Sequence, residues 1–273
     1  MKCFICKTCG VEYSESSSPP DSCPICEDPR QYVGWQGQKW TSMDELMDQG
    51  HENDLRELEP NLLGIGITPS FSIGQRALLI TTDQGNILYD CVSIIDDNAA
   101  KEIADIGGIS YICLSHPHFY DSMVSWSQEF DNATIIIPEV DRAHVMRPDR
   151  AIEYWNGIPL EILPGITLIQ TGGHFEGSSV LHWKNGAKGK GALLVGDTIS
   201  VVQDRNFVSF MRSYPNLIPL SASQVSNIVE SLEPYPYDRI YGGWWDRNVL
   251  TDGKRAVKIS AERYINHINS NQV

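Results

Sequence analysis

Four cysteines near the start of the chain have the spacing of a metal site. Cys6-Lys7-Thr8-Cys9 and Cys23-Pro24-Ile25-Cys26 are two C-x-x-C knuckles with 13 residues between them. Brought together, they set four thiolates at the corners of a tetrahedron, a donor set for Zn²⁺ or iron. Cys3 lies outside this quartet, although Cys3-x-x-Cys6 offers a competing register. A second constellation begins at Ser115-His116-Pro117-His118, where an apolar run ends. Residues i and i+2 leaving a strand point to the same side, so two imidazoles can share one ion. Pro117 restricts the backbone between them. Gly172-Gly173-His174-Phe175-Glu176-Gly177-Ser178 puts a third imidazole in a glycine-rich loop, and Leu193-Leu194-Val195-Gly196-Asp197 puts a carboxylate at a strand end. Three imidazoles and a carboxylate on one cation can make hydroxide available at neutral pH.

Positioning such groups needs strands that end together. Short apolar runs at Leu62–Thr68, Arg76–Thr82 and Asn86–Val92 predict strands, with Asp83-Gln84-Gly85 as a turn. Helices are predicted at Asn98–Ile106, stopped by Gly107-Gly108, and at about 122–130. Strands are predicted at Ile109–Leu114 and Ala133–Pro138, then at Leu160–Leu163, Thr167–Gln170, Ser179–His182 and Ala192–Val195. Later helices fall at Ala222–Leu232 and Lys254–Ile268. Strand runs followed by helices make an α/β protein with two sheets and helices outside, a four-layered sandwich. Residues 41–59 are acidic with sparse leucines, which predicts one or two short surface helices capped by Thr41 or Ser42. The organisation expected is thus a four-cysteine metal ribbon at 1–34, a helical connector at 35–59 and a large domain at 60–273.

The pieces Cys-x-x-Cys-Gly-Val-Glu-Tyr and Cys-Pro-Ile-Cys resemble the knuckles of rubredoxin-like and zinc-ribbon modules, with a much shorter intervening loop than in rubredoxins. From about residue 60 to 268 the chain resembles the metallo-β-lactamase superfamily, which includes hydroxyacylglutathione hydrolases, lactonases and persulfide dioxygenases. The resemblance implies an αββα metallo-β-lactamase sandwich. It assigns His116, His118 and His174 to the first metal site and Asp197 to the carboxylate that bridges or completes it. Two positions depart from the family pattern H-x-H-x-D-H: Tyr120 stands at its Asp and Asp121 at its second-site His. Asp121 then reads as a ligand or proton acceptor across a one-residue shift. Glycine and tryptophan around Ile240-Tyr241-Gly242-Gly243-Trp244 stand where a late histidine is expected, so one intact metal site is predicted and the second weakened or lost. His144 is a stand-in candidate; His51, His182 and His267 read as structural or solvated.

The resemblance implies hydrolysis of an ester, thioester or lactone by a metal-bound hydroxide, with Asp197 or Asp121 handling the proton and zinc or iron as the metal. A mononuclear iron persulfide dioxygenase, or a degenerate metal-binding scaffold, is the alternative. Arg212, in Phe210-Met211-Arg212-Ser213-Tyr214-Pro215-Asn216, is a candidate for holding an anionic small-molecule substrate, and Tyr120 is a second substrate-binding candidate. Asp and Glu outnumber Lys and Arg 35 to 21, a net charge of −14 that argues against nucleic acid as partner. Lys184, Lys188 and Lys190 fall at a predicted hairpin tip and form no basic patch. No apolar run reaches membrane-spanning length, and the N-terminus lacks a signal-like stretch, so a cytoplasmic protein with reduced cysteines is expected.

Overall fold

The computed structural model describes residues 1–269, which fold as two units divided after Trp155. The first unit is built on a seven-stranded mixed sheet. Its order is Glu52–Glu59, Leu62–Thr68, Ala77–Ile80, Ile87–Tyr89, Tyr111–Cys113, Thr134–Pro138 and Ile152–Trp155. The first four strands pair antiparallel, and the last four run parallel to one another. Parallel neighbours need a crossover, and the helices Asp97–Asp105 and Met123–Glu129 supply two of them. Strands buried on both faces carry little polar alternation, as Ala77–Ile80 (ALLI) and Thr134–Pro138 (TIIIP) illustrate. Because these strands run the same way, the loops after Tyr89 and Cys113 leave from one edge, where sites are assembled in α/β sheets.

The second unit carries a six-stranded mixed sheet ordered Leu160–Leu163, Ile166–Gln170, Ser179–Trp183, Ala192–Leu194, Arg239–Tyr241 and Asn248–Val249. Only the pair Ala192–Leu194 and Arg239–Tyr241 is parallel, and its crossover contains the helix Ala222–Leu232. That helix opens with a capping box at Ser221 and Gln224. Its buried Val225, Ile228 and Leu232 pack with Ile169, Val180, Leu193, Val257 and Ala261, the last two from the helix Gly253–Asn269. Lys188 does lie in a turn between strands, at φ 59° beside Ala187 at φ 53°.

The connector is where the expectation needs correction. Ser42 caps the helix Met43–Asp48, but Glu52–Glu59 (ENDLRELE) is a strand paired along Leu62–Thr68, not a second helix. Its sheet partner determines its conformation, and as the charged edge of the sheet it discourages further pairing. The ribbon is not packed alone either. Ile5–Cys6 pairs with Trp40–Thr41, and Cys6, Cys9, Val11, Tyr13, Cys23, Ile25 and Cys26 share one buried core with Val92, Met123 and Trp126.

Candidate metal centres

The four cysteines converge. Their sulfurs all lie within 4.8 Å of one another, with Cys6 Sγ 3.5 Å from Cys26 Sγ and Cys9 Sγ 3.7 Å from Cys23 Sγ. Zinc–sulfur bonds of about 2.3 Å place the corners of a tetrahedron about 3.8 Å apart, so the quartet fits such an ion. Thiol hydrogen bonds from Cys23, Cys26 and Cys9 hold the Cys6 pKa far below the ordinary range. Burial pushes Cys9 well above it. The four sulfurs are therefore not all held as thiolates without a cation, and a metal ion removes that conflict. Gln38 Nε2 donates to Cys6 Sγ at 3.1 Å. All four cysteines are at most 1% exposed.

Two of the histidines belong to the first unit. After the strand Tyr111–Cys113, Ser115 N–H donates to Asp90 Oδ1 at 2.7 Å, fixing where the strand ends. Asp90, at φ 65°, carries no signal in the sequence, because the strand end it fixes lies 25 residues further on. A short 3₁₀ turn, Pro117–Phe119, then bends the chain, and the His116 and His118 rings stand 5.1 Å apart at 79°. Ser115 Oγ lies 2.9 Å from His116 Nδ1. That contact holds the ring and directs Nε2 as the coordinating nitrogen.

The other two ligands belong to the second unit. His174 lies in the loop closed by Thr171 and Gly172 N–H donating to the Ser178 carbonyl, at 2.8 and 3.0 Å. Gly173 is required there: it sits at φ 96°, and a Cβ would come 2.8 Å from Ile228 Cδ1. His174 Nδ1 is 3.1 Å from the Met211 carbonyl, which leaves Nε2 facing Asp197 Oδ1 at 3.9 Å. Two ligands of one zinc ion stand about 3.4 Å apart, so this pair also fits a shared cation. Asp197 follows Ala192–Leu194, and its backbone carbonyl accepts from Tyr214 Oη–H at 2.7 Å. Burial pushes the Asp197 carboxyl up to about 8, against a lowering hydrogen bond from its own backbone. His116 and His118 in the first unit, and His174 and Asp197 in the second, are all buried and are groups suited to holding a metal ion.

The remaining expected site residues are placed differently. Asp121 is 2% exposed, and its two carboxylate oxygens accept from Ser93 Oγ–H and Gln75 Nε2–H, each at 2.5 Å. Burial raises its pKa well above the carboxylate range, with those two bonds acting in the opposite sense. Tyr120 is packed in the first unit's core rather than presented to solvent. Arg212, half-buried, lies in the strand Met211–Ser213, next to the carbonyl that orients His174. His182 is a core histidine held by the Pro236 carbonyl, and burial lowers its pKa. At the expected late-histidine segment, Gly243 N–H donates to the Gly196 carbonyl at 2.9 Å, beside Asp197, and Trp244 and Trp245 are half-buried. Among the described residues no further group of His, Cys, Asp and Glu suits a metal.

The sequence profile of the metallo-beta-lactamase superfamily matches residues 74–244, more than half of the chain. The chain belongs to the metallo-beta-lactamase superfamily. Within it, the uncharacterized protein YmaE of Bacillus subtilis (strain 168) is 44% identical over 271 residues, spanning 99% of this chain and 98% of YmaE. Superfamily folds already solved align as well. The crystal structure of VMB-1 has a TM-score of 0.58 at 13% identity, covering 80% of this chain and 98% of VMB-1. A metallo-beta-lactamase from Hirschia baltica has a TM-score of 0.56 at 16% identity, covering 78% and 98%. At these identities the solved structures support the fold: an α/β metallo-beta-lactamase fold with two mixed sheets, here preceded by a small sheet carrying four cysteines. No helix among the described residues is long and apolar enough to cross a membrane.

Proposed function

We propose that this protein is a metal-dependent hydrolase of a small ester, thioester or lactone, with a single ion held by His116, His118, His174 and Asp197. The observation that carries this is the donor set itself. Three imidazoles and one carboxylate, all buried, are the residues the motif resemblance assigns to the first metal site, and it expects the second-site ligands where Tyr120, Asp121 and glycine stand. A divalent cation bound there would polarise a substrate carbonyl and make water a nucleophile at neutral pH.

The chain's own residues prepare that chemistry. The Met211 carbonyl and Ser115 Oγ orient His174 and His116 through their Nδ1 atoms. Asp197 is also the carboxylate we assign to orienting the attacking water or accepting its proton. Arg212, adjacent to Met211, is the residue we assign to an anionic substrate group. We assign zinc to the four-cysteine ribbon in a structural role.

The test is hydrolysis of a panel of thioesters, esters and lactones by zinc-loaded protein and by His116→Ala. Turnover that requires His116 is expected. Oxygen uptake with a persulfide and no hydrolysis of any member would overturn the assignment.

A further inference from the structure

Asp121 lies three residues beyond His118, in the left-handed region at φ 37°, a conformation that surrounding contacts must impose on an aspartate. Ser93 and Gln75 hold its carboxylate, and the ribbon holds its backbone. The Asp121 carbonyl accepts from Glu12 N–H at 3.0 Å. The Ser93 hydroxyl that donates to its carboxylate also lies 3.1 Å from the Gly10 carbonyl. Gly10 directly follows Cys9, has φ 84°, and could not carry a Cβ, which would fall 2.3 Å from Asp121 Oδ1. One residue before Cys9, the Thr8 carbonyl accepts from Ser72 Oγ–H at 2.9 Å. The first cysteine knuckle therefore forms one wall of the space that holds this carboxylate. On the other side, Asp121 continues directly from the turn that carries His118. In that turn Phe119 N–H donates to the His116 carbonyl at 3.0 Å, and Cys91 N–H donates to the Phe119 carbonyl at 3.3 Å.

We propose that Asp121 is a positioning residue through which the four-cysteine centre sets the geometry of the His116–His118 pair. When the quartet holds its cation, Cys6 and Cys9 fix the knuckle. Gly10 and Glu12 then hold Asp121, and the 3₁₀ turn presents both imidazoles at the separation one ion needs. Emptying the quartet loosens Asp121 and weakens metal binding at the histidines, so the ribbon's metal status governs the second centre. This rests on the reading that His116 and His118 bind a metal, and it explains why an aspartate at this position need not be a ligand. Groups that orient metal ligands from behind typically change affinity by about 10- to 100-fold.

The experiment is a zinc titration of the full-length chain against a chromogenic chelator. In parallel, Co²⁺ spectra are recorded of the second equivalent in protein whose quartet is already filled with Zn²⁺. Wild type should bind two equivalents and His116→Ala one; His116→Ala retaining two would overturn the underlying metal assignment, not the coupling. Ser93→Ala and Gly10→Ala leave every proposed ligand in place. Both should keep the first equivalent, weaken the second by about 10- to 100-fold and shift the visible Co²⁺ bands. If Gly10→Ala fails to fold, Ser93→Ala alone decides. Wild-type affinity for the second equivalent with an unchanged Co²⁺ spectrum would overturn the proposal.

Discussion

At the scale of single residues, the electrostatic state of Asp197 is the most exposed claim. Its carboxyl has been raised by burial from an ordinary 3.8 to about 8 in the absence of a cation. A group whose folded-state pKa is raised stabilises the fold below its unfolded value, and that contribution is lost as pH rises through the folded value. In a His116→Ala background, where no ion is held at the centre, the melting temperature should therefore fall between pH 4 and pH 8. Asp197→Asn in the same background should flatten that slope, each kcal/mol corresponding to about 2–4 °C. Equal slopes in thermal melts would show that Asp197 is not buried as described. The ligand residues are legible in the sequence because their types and spacing are unusual: His116, His118 and His174 each sit beside a proline or glycine that fixes the backbone. Asp90 and Ser93 are not, since their roles come from contacts 25 and 28 residues away along the chain.

At the scale of elements, the strands and helices that carry the site follow from pattern. Leu62–Thr68, Leu160–Leu163 and Ala222–Leu232 have the bounds their periodicity predicts. Glu52–Glu59 does not, because Leu55 and Leu58 are three apart among helix-favouring Glu and Arg, and only pairing with Leu62–Thr68 makes it a strand. The His174 loop gives a direct test of an element. Gly173→Ala must place a Cβ 2.8 Å from Ile228 Cδ1 and 3.2 Å from Leu220 Cδ1 while keeping φ at 96°. It should cost about 1–3 kcal/mol and lower metal content at the histidines; melts and metal analysis check both. A variant as stable as wild type would show that the loop takes another path.

At the scale of the whole molecule, the spacing of the ribbon's cysteines suggests a separable module, yet those cysteines share the first unit's core. Glu12, on the ribbon, is 4% exposed and paired with Arg147, with Ser125 Oγ also donating to it. Deleting residues 1–34 should expose Val92, Met123 and Trp126 and yield protein that aggregates or melts far below the full chain. A truncated chain with an unchanged melting temperature would restore the modular view. The central claim is that one ion is held jointly by His116, His118, His174 and Asp197, apart from the ion of the cysteine quartet. Metal content by mass spectrometry of wild type, His116→Ala, His174→Ala and the double variant tests it most directly. Two equivalents in wild type and one in all three variants is the prediction. A double variant that loses both equivalents while each single variant loses one, or variants that lose none, would contradict it.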